Sequence, residues 1–316
     1  GGIVRCLQMH NDVCKFPTLA GLKTEDEAVK LLRKAKEKMA SKILVKEHKK
    51  RIAEFHSDNG EITEANPKVV SAMYADSHFN VGDAFIGMQG MIDDGLNPPI
   101  GFVEVDPPYA INLKEVKKGD IDKKLAKYEE IKPKDYPAFL KKLCEYIYST
   151  TPTDTRICFW FGIEWISEVK NALRDAGFKL DPIPCLWTKR AGQTNSPELF
   201  LARAWEPFFI AWKGNGVPLR NRGRINVFDF PVVPASRKWH PTQRPVELMQ
   251  EILRTFAWEG SICMIPFLGS GATLLACYRE GINGFGWELN GDNKEPFLAA
   301  VEQDIQETLS VEKEDE

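Results

Sequence analysis

Two short apolar runs, each followed by a loop of distinctive composition, place the strongest constraint on the fold of this chain. Ile100–Val105 precedes Asp106-Pro107-Pro108-Tyr109, and Ile262–Ile265 precedes Pro266-Phe267-Leu268-Gly269-Ser270-Gly271. Short apolar runs bounded by turn residues are typical of buried strands. Open α/β sheets bind their ligands at loops that leave the carboxyl ends of the strands. Both loops are therefore predicted to lie at one ligand-binding edge of a sheet.

Apolar runs alternate with amphipathic segments along most of the chain. Strands are predicted at residues 78–81, 100–105, 156–161, 183–187, 208–212, 262–265 and 284–287. Helices are predicted at residues 136–148, 163–176, 245–256, 272–280 and 295–308. This alternation is the pattern of a mostly parallel sheet covered by helices, and 316 residues with 43% hydrophobic content can bury its core. The sequence therefore predicts an α/β fold with a Rossmann-like, seven-stranded sheet over residues 61–309.

The two ends of the chain differ from this central domain. Residues 23–55 are rich in lysine and glutamate and carry apolar residues at helical spacing, so residues 1–60 are predicted to form an N-terminal helical extension. Residues 310–316 are predicted to be an acidic tail that frays. No apolar stretch approaches the roughly 20 residues that cross a bilayer, and no secretory signal opens the chain. A cytoplasmic protein that does not contact membranes is expected.

The cysteines indicate a reduced interior. There are seven of them, mostly in apolar surroundings and without a CxxC pair, which predicts buried thiols and no disulfide framework. Cys6, His10 and Cys14 could converge on a metal ion, but no fourth ligand stands at zinc-site spacing. Packing within the N-terminal arm is the favoured interpretation, and no metal site is predicted.

The loop after the second apolar run suits a nucleotide-like ligand. Gly269 and Gly271 permit positive φ and close approach of a ligand, and a helix predicted to begin at Ala272 offers unpaired N–H groups. The next strand ends near Glu288, whose carboxylate can accept hydrogen bonds from both hydroxyls of a ribose. The lysine of a phosphate-binding P-loop is absent, and Leu274 stands where a dinucleotide oxidoreductase needs a third glycine. A Gly-x-Gly turn is also a common plain connection between a strand and a helix.

The loop Asp106-Pro107-Pro108-Tyr109 suits chemistry on the exocyclic amine of a nucleobase. The lone pair of such an amine is delocalised into the ring, so an enzyme must hold its hydrogens with acceptors that favour a pyramidal nitrogen. The Asp106 carboxylate and the Pro107 carbonyl can be those acceptors, because consecutive prolines fix φ and remove competing N–H donors. Tyr109 offers a flat face for an extruded base, worth about 1–3 kcal/mol of stacking. The competing interpretation is a turn with an aromatic residue packed on it.

These motifs, in this order, resemble the DNA amino-methyltransferases of the permuted β group, in which the D-P-P-Y loop precedes the S-adenosylmethionine loop. The resemblance spans residues 79–305 and includes residues 81–84 and the run Trp239-His240-Pro241-Thr242-Gln243-Arg244-Pro245. Seven strands in one sheet are expected of a methyltransferase domain in this family. The resemblance implies that a bacterial or phage-encoded protein flips adenine out of DNA and transfers a methyl group from S-adenosylmethionine to its N6 amine.

The same resemblance implies which residues form the site. Catalysis is assigned to Asp106, Pro107, Pro108 and Tyr109. Cofactor binding is assigned to Asp83, Asp106, Thr242, Arg244, Phe267, Gly269, Ser270, Gly271, Thr273 and Glu288. Within this set, Thr242 and Arg244 are implied to lie near the methionine carboxylate and Asp83 beside the adenine of the cofactor. From the residues alone, Gly82-Asp83 is also a commonplace turn, and Thr242 is a plausible helix cap before a proline.

One departure from the family pattern leaves alternatives open. The family has an acidic residue immediately before the Pro-Phe of the glycine loop, where this chain has Ile265. Loss of that acid would weaken cofactor binding or make the chain depend on a partner, so a non-catalytic nucleic-acid-binding subunit is one alternative. N4-cytosine methylation is another, since its pocket chemistry differs little. An RNA substrate is a third, because an extruded adenine presents the same groups.

A nucleic-acid surface must come from local positive charge, since the net charge is −3. The basic residues predicted to contact DNA are Lys189, Arg190, Arg220, Arg222, Arg224 and Lys238. Several of them fall in the short target-recognition region predicted at residues 214–239, which favours a short or degenerate recognition sequence. An ordinary solvated surface is the alternative. DNA is the expected partner, with a homodimer or a partner subunit also possible.

Overall fold

A computed structural model describes residues 67–111, 131–194, 196–258 and 260–314. All of them belong to the second of two compact units, residues 52–316. The extension predicted at residues 1–60 lies outside the described residues, as do Cys6, His10 and Cys14. The five described cysteines are buried free thiols, as predicted.

Helices and strands alternate through the described residues. In chain order they are α1 (Pro67–His78), β1 (Phe79–Val81), α2 (Ala84–Asp93), β2 (Ile100–Val105), α3 (Tyr136–Thr150), β3 (Arg156–Trp160), α4 (Ile166–Asp175), β4 (Lys179–Leu180), β5 (Cys185–Gln193), β6 (Arg203–Trp212), β7 (Val227–Asp229), α5 (Val246–Phe256), β8 (Ile262–Ile265), α6 (Ala272–Arg279), β9 (Asn283–Glu288) and α7 (Lys294–Glu314).

The strands form one sheet with the order β1-β9-β8-β2-β3-β6-β5-β7, and β4 pairs with β6. The strands β1, β9, β8, β2 and β3 are parallel, while β6 runs antiparallel to β3, β4 and β5. The mostly parallel α/β sheet is therefore confirmed. Each of the seven predicted strands is present, and the described chain adds β4 and β7, which are two and three residues long and too short to give a periodic signal.

Helices cover both faces of the sheet. One face packs Phe102 and Trp160 against residues of α1, α5, α6 and α7, and the other packs Val103 and Phe159 against α2, α3 and α4. All six residues of β2 are buried, as a central parallel strand requires. Glu104 is the charged residue among them, and it is 2% exposed. In the ranges that the structure describes, no helix is long and apolar enough to cross a membrane.

Several element boundaries differ from prediction. The helices α1 and α2 were not predicted, and α2 contains Gly87 and Gly90, which lower its helical propensity. The last helix continues to Glu314, into the predicted acidic tail, because no glycine or proline interrupts residues 297–314. Pro245 occupies the N-cap position of α5, so Thr242 is not the helix cap.

Two glycines give a matched test of the packing around the loop before α6. Gly271 has φ +76°, and an added Cβ would lie 2.5 Å from the ring of Phe297, whereas a Cβ on Gly90 in α2 would meet nothing within 4 Å. We expect Gly271→Ala to lower the free energy of unfolding by about 1–3 kcal/mol through left-handed strain and overpacking. Gly90→Ala should raise it by about 0.5–1 kcal/mol. Urea denaturation measures both, and equal stabilities would contradict the packing described.

Candidate active site

A pocket of about 840 Å³ opens at the carboxyl edge of the parallel strands. It lies at the ends of the neighbouring strands β8 and β2. The strand that follows β8 in the chain, β9, lies on one side of this pair, and the strand that follows β2, β3, lies on the other. Such a switch point opens a crevice between the two loops. The predicted site residues that line it are Asp83, Asp106, Pro108, Thr242, Arg244, Phe267, Gly269, Ser270, Thr273 and Glu288. The structure therefore brings both motifs to one pocket.

Three predicted residues lie behind the pocket wall. Pro107 is buried, and Gly271 occupies the N-cap position of α6 and packs against Phe297. Tyr109, the last residue of the D-P-P-Y loop (the catalytic loop below), packs on the hydrophobic core. These residues shape the loops that carry the lining residues.

Glu288 ties the glycine loop to the end of β9. Its Oε2 accepts the Gly269 N–H at 2.8 Å, and its Oε1 accepts the Asn290 N–H at 2.9 Å. Burial raises the pKa of Glu288, and these backbone hydrogen bonds oppose the rise. With two backbone N–H groups and the Asn293 side chain as described partners, the carboxylate keeps one lone pair for a ligand hydroxyl.

Asp83 lines the end of the pocket that lies away from Asp106, next to the end of β9. Its Oδ1 accepts the Phe85 N–H at 2.7 Å and caps α2. The preceding Gly82 donates its N–H to the Glu288 carbonyl at 2.9 Å, which fixes the loop after β1 beside β9. Asp83 is thus both a turn residue and a lining residue.

The segment before α5 forms another wall. Trp239 Nε1 donates to the Ser270 carbonyl at 3.0 Å, which attaches this segment to the glycine loop. A Cβ on Gly269 would make an ordinary contact, 3.6 Å from the His240 ring, so the φ of +53° is what favours glycine at this position. Thr242 is exposed in the open pocket, with its Oγ1 3.2 Å from His240 Nδ1.

Arg244 is the electrostatic centre of the site. Its Nε donates to Asp106 Oδ2 at 3.0 Å, and its Nη2 donates to Asp106 Oδ1 at 2.6 Å and to the Tyr109 hydroxyl at 2.7 Å. Its Nη1 donates to Glu206 Oε2 at 2.6 Å. The Tyr109 hydroxyl in turn donates to Asp106 Oδ1 at 2.8 Å. Because Oδ1 already accepts two hydrogen bonds, Oδ2 is the Asp106 oxygen with acceptor capacity left for a substrate.

The cation at the centre of this network is buried. The Arg244 side chain is 7% exposed, and its guanidinium carbon lies 3.7 Å from the centre of the Trp160 ring, while the Asp106 and Glu206 side chains are partly exposed. Burial favours the neutral form of Arg244, but Asp106, Tyr109 and Glu206 outweigh it and hold its pKa well above the usual value. Burial also favours neutral Glu206, yet Arg244 and Lys189 lower the pKa of Glu206 to about 2. Arg244 and Glu206 therefore form a charged pair at neutral pH.

The chain leaves the catalytic loop through a strained residue. Ala110 has φ +54°, a left-handed conformation that costs a non-glycine residue about 1–2 kcal/mol. It is buried and follows Tyr109 directly. Strain of this kind is found where surrounding structure holds a functional loop in place.

Glu104 was not predicted as a site residue. It lines the pocket two positions before Asp106. Burial raises the pKa of Glu104 to about 8, Asp106 adds to the rise, and Arg244 and the Thr273 hydroxyl oppose it. The buried indole N–H of Trp160 also acts on this carboxyl, yet it makes no hydrogen bond of normal geometry with a described acceptor.

Sequence reasoning also missed Glu206 and Trp160. Neither belongs to a short motif, and each reaches the site through sheet pairing, since Trp160 on β3 is registered with Phe208 on β6. The signal for Glu104 was present as a carboxylate inside an otherwise apolar run.

The predicted DNA-binding residues separate into two groups. Lys189 pairs with Glu206, and Arg190 pairs with Asp229 at 2.8 Å. Both lie towards the end of β5, which runs in the direction of β3 and reaches the catalytic edge. Lys238 directly precedes the pocket wall. These three residues lie on the same side of the sheet as the catalytic loop.

The second group lies towards the opposite edge. The Arg220 N–H donates to the Thr255 carbonyl at 3.1 Å, near the end of α5 that leads back to the start of β8. Arg224 pairs with Glu251 at 2.6 Å, and Arg222 is exposed. Because β6 is antiparallel, the region after it begins at the amino edge of the parallel strands. These three arginines therefore lie away from the edge that carries the D-P-P-Y loop, and their contact with DNA stays a prediction.

Removal of Arg244 tests the ion-pair network. We expect Arg244→Ala to lower the free energy of unfolding by about 2–4 kcal/mol, because it removes a buried cation shared by two partly exposed carboxylates. Arg254→Ala is the control, since Arg254 pairs with Glu280 at 2.7 Å but is 54% exposed, and its loss should cost about 1 kcal/mol or less. Guanidinium denaturation measures both values. Similar losses for the two variants would show that the buried network is not a major constraint.

Comparison with known proteins agrees with this geometry. Type II methyltransferase M.HpaI of Haemophilus parainfluenzae is 26% identical over 211 residues, which cover 60% of this chain and 64% of that protein. The structure of M1.HpyAVI in complex with SAM has a TM-score of 0.54 at 18% identity and covers 70% of this chain and 97% of that one. PvuII DNA methyltransferase, described as cytosine-N4-specific, has a TM-score of 0.55 at 14% identity and covers 71% and 85%. These structures share the fold.

The family comparison is more specific. A model of the DNA methylase family that groups N6 and N4 methyltransferases matches residues 100–299. The match includes the catalytic loop, the wall before α5, the glycine loop and the end of β9. It covers more than half of the sequence, and the chain therefore belongs to the N6/N4 DNA methylase family.

Proposed function

We propose that this chain transfers a methyl group from S-adenosylmethionine to the N6 amine of adenine in DNA. The observation that carries the proposal is Asp106 Oδ2, an acceptor with unused capacity held beside a pocket of about 840 Å³. Membership of the DNA methylase family supports the reaction class and the polymer. This chain covers 64% of M.HpaI, the relative described above, and that relative therefore does not decide the target base. The assignment to adenine depends on the D-P-P-Y loop of the site.

The charge of the pocket favours S-adenosylmethionine over phosphate-bearing cofactors. Five acidic side chains line the described pocket, namely Asp83, Glu104, Asp106, Glu288 and Asp292, although burial raises the pKa of Glu104 to about 8 and Asp106 pairs with Arg244. The basic side chains of the lining are those of Arg244 and His240. A dinucleotide or ATP would bring phosphate charges into this acidic pocket. S-adenosylmethionine carries a sulfonium and an ammonium against one carboxylate, and its net positive charge suits the lining.

The lining residues suggest how the cofactor is oriented. Glu288 at the end of β9 has a lone pair for a ribose hydroxyl, and Asp83 lies beyond it, on the side where the adenine would bind. The methionine would then extend past the glycine loop towards β2. This direction places the transferable methyl group towards Asp106.

Asp106 would act on the nucleophile. S-adenosylmethionine supplies an electrophilic methyl group on a sulfonium that becomes a neutral thioether after transfer. Asp106 Oδ2 accepts a hydrogen bond from the target amine, favours its pyramidal form and so directs its lone pair at the methyl carbon. Arg244 holds the carboxylate in one orientation, so little reorganisation accompanies the reaction. The proton that the methylated amine sheds passes to Asp106 or to solvent.

The choice of adenine over cytosine is the finer part of the proposal. The resemblance associates D-P-P-Y with adenine more often than with cytosine, and the acceptor chemistry is the same for both amines. N4-cytosine methylation is the second candidate. Product identity, and not binding affinity, distinguishes them.

A non-catalytic subunit is the candidate from a different class. Ile265, in place of an acid at the end of β8, is the observation that favours it. Against it stand the intact Asp106 network and the position of Glu288. A homodimer or a partner subunit remains a prediction.

The first test is product analysis with an Asp106 variant. Purified protein is incubated with unmethylated DNA and methyl-labelled S-adenosylmethionine, and the nucleosides are identified by mass spectrometry. We expect N6-methyladenine, and we expect Asp106→Ala to reduce it by at least about a hundredfold because the acceptor is lost. Asp93→Ala, on the exposed end of α2, is the control.

The outcomes separate the candidates. N4-methylcytosine would replace adenine as the target base. Cofactor binding without any methylated nucleoside would favour the non-catalytic subunit. Loss of cofactor binding by a folded Asp106→Ala variant would mean that Asp106 serves the cofactor and not the target amine.

The position of the basic residues predicts the DNA-binding edge. We expect Arg190→Ala combined with Lys238→Ala to reduce the slope of log affinity against log salt by about 1–2, since each phosphate contact contributes about 0.9. Arg220→Ala combined with Arg222→Ala removes the same charge from the opposite side and should leave the slope unchanged. Fluorescence anisotropy of a labelled duplex over a salt series measures both. The reverse pattern would place DNA at the amino edge.

A further inference from the structure

One buried carboxylate in the pocket has no part in the proposed reaction. Glu104 is 2% exposed, and β2 otherwise consists of apolar residues and glycine. A buried carboxylate is costly unless a cation or several hydrogen bonds compensate it. Glu104 lines the pocket, so a ligand can supply that compensation.

The nearest described cation is already engaged. Arg244 acts on Glu104 electrostatically, but four of its N–H groups are directed to Asp106, Glu206 and Tyr109. The other described groups that favour the charged Glu104 carboxyl are the Thr273 hydroxyl and the Trp160 indole, which are both uncharged, while Asp106 opposes the charged form.

The sheet register places Glu104 beside the position of the missing acid. Phe102 pairs with Cys263 and Val103 pairs with Met264, so the next pair along the two parallel strands is Glu104 and Ile265. Side chains at paired positions of adjacent strands point to the same face of a sheet. The Glu104 carboxylate therefore lies one strand spacing, about 5 Å, from the position at the end of β8 where the family has its acid.

The distance to Glu288 fits one cofactor molecule. Glu288 is on β9, and β8 separates β9 from β2. Two strand spacings are about 10 Å, which suits a molecule with its ribose at β9 and its amino acid at β2.

On the basis of the proposed function, we propose that Glu104 binds the ammonium group of the cofactor's methionine, supplying from β2 the carboxylate that Ile265 does not supply from β8. The carboxylate then gains the cation that the protein itself does not provide. Glu104 is a cofactor-binding residue in this proposal and takes no part in methyl transfer.

Cofactor binding should deprotonate Glu104. Its pKa of about 8 in the empty pocket means that the carboxyl is mostly protonated at pH 7. An approaching ammonium favours the charged form and lowers that pKa, so binding releases a proton and affinity rises as pH increases from 6 towards 8. The titratable groups that face it are Asp106, Arg244, Cys158 and Cys263, and burial raises the pKa of both thiols, so they stay neutral.

Three ligands and two variants isolate this contact by titration calorimetry. S-adenosylmethionine carries the sulfonium and the ammonium, S-adenosylhomocysteine carries the ammonium alone, and 5′-methylthioadenosine carries neither. We expect Glu104→Gln to weaken the first two about 10- to 100-fold and to leave the third unchanged. Glu288→Gln is the matched control and should weaken all three, since each has the ribose.

Proton release is the second readout. The wild-type protein should release close to one proton on binding S-adenosylhomocysteine at pH 7, measured from heats in buffers of different ionisation enthalpy. Glu104→Gln should release none. Thermal unfolding of the variant shows that it is folded, and removal of a buried carboxyl with a raised pKa should make it at least as stable as wild type at pH 8.

Each outcome decides the proposal. Unchanged affinities for all three ligands, or equal weakening of all three by Glu104→Gln, would overturn it. Weakening for S-adenosylmethionine alone would assign Glu104 to the sulfonium and also overturn it. If the wild-type protein binds none of the ligands, the proposed function itself fails, which is a result distinct from failure of the Glu104 contact.

Discussion

The active site is organised around one buried guanidinium. Arg244 joins the loop after β2 to the start of β6 and to the segment before α5, because Asp106, Glu206 and its own backbone belong to those three elements. The interaction is worth most as a constraint on geometry, since a buried ion pair returns little net stability after desolvation. Its loss would leave the Asp106 carboxylate free to rotate and without a described cation, while Glu206 would keep its pair with Lys189. The resemblance placed Arg244 near the methionine carboxylate, whereas its hydrogen bonds here go to Asp106, Glu206 and Tyr109.

The central sheet was predictable because its signals are local. Ile100–Val105 and Ile262–Ile265 are apolar runs ended by turn residues, and both are strands with the predicted bounds. Two kinds of missed element lack such signals, because β7 is only three residues long and because glycines interrupt the pattern in α2. The location of Arg220, Arg222 and Arg224 could not be predicted for a different reason. The density of charge along a sequence does not reveal which edge of the sheet a loop occupies. Here the antiparallel direction of β6 places the loop after it at the amino edge of the parallel strands.

The acidity of the pocket has consequences for the whole catalytic cycle. The lining favours a ligand of net positive charge, and methyl transfer removes the sulfonium charge, so the product is held less strongly than the cofactor by the same carboxylates. Arg244 offsets the charge of Asp106, which is one of the lining carboxylates, and it also pairs with Glu206.

The exchange of acid between strands follows from the geometry of a parallel pair. In β2 and β8, paired positions face the same side of the sheet and lie about 5 Å apart, which is within the reach of one glutamate side chain. The family motif has an acidic residue at the end of β8, where this chain has Ile265. In the sheet, Glu104 on β2 is paired with Ile265 on β8, so in this proposal the acidic residue lies on β2 and the apolar residue on β8. An isoleucine on β8 then packs with Cys263 in the core, while the glutamate on β2 faces the ligand. Ile265 in place of the family's acid is therefore consistent with a pocket that binds the cofactor through a carboxylate on the neighbouring strand β2.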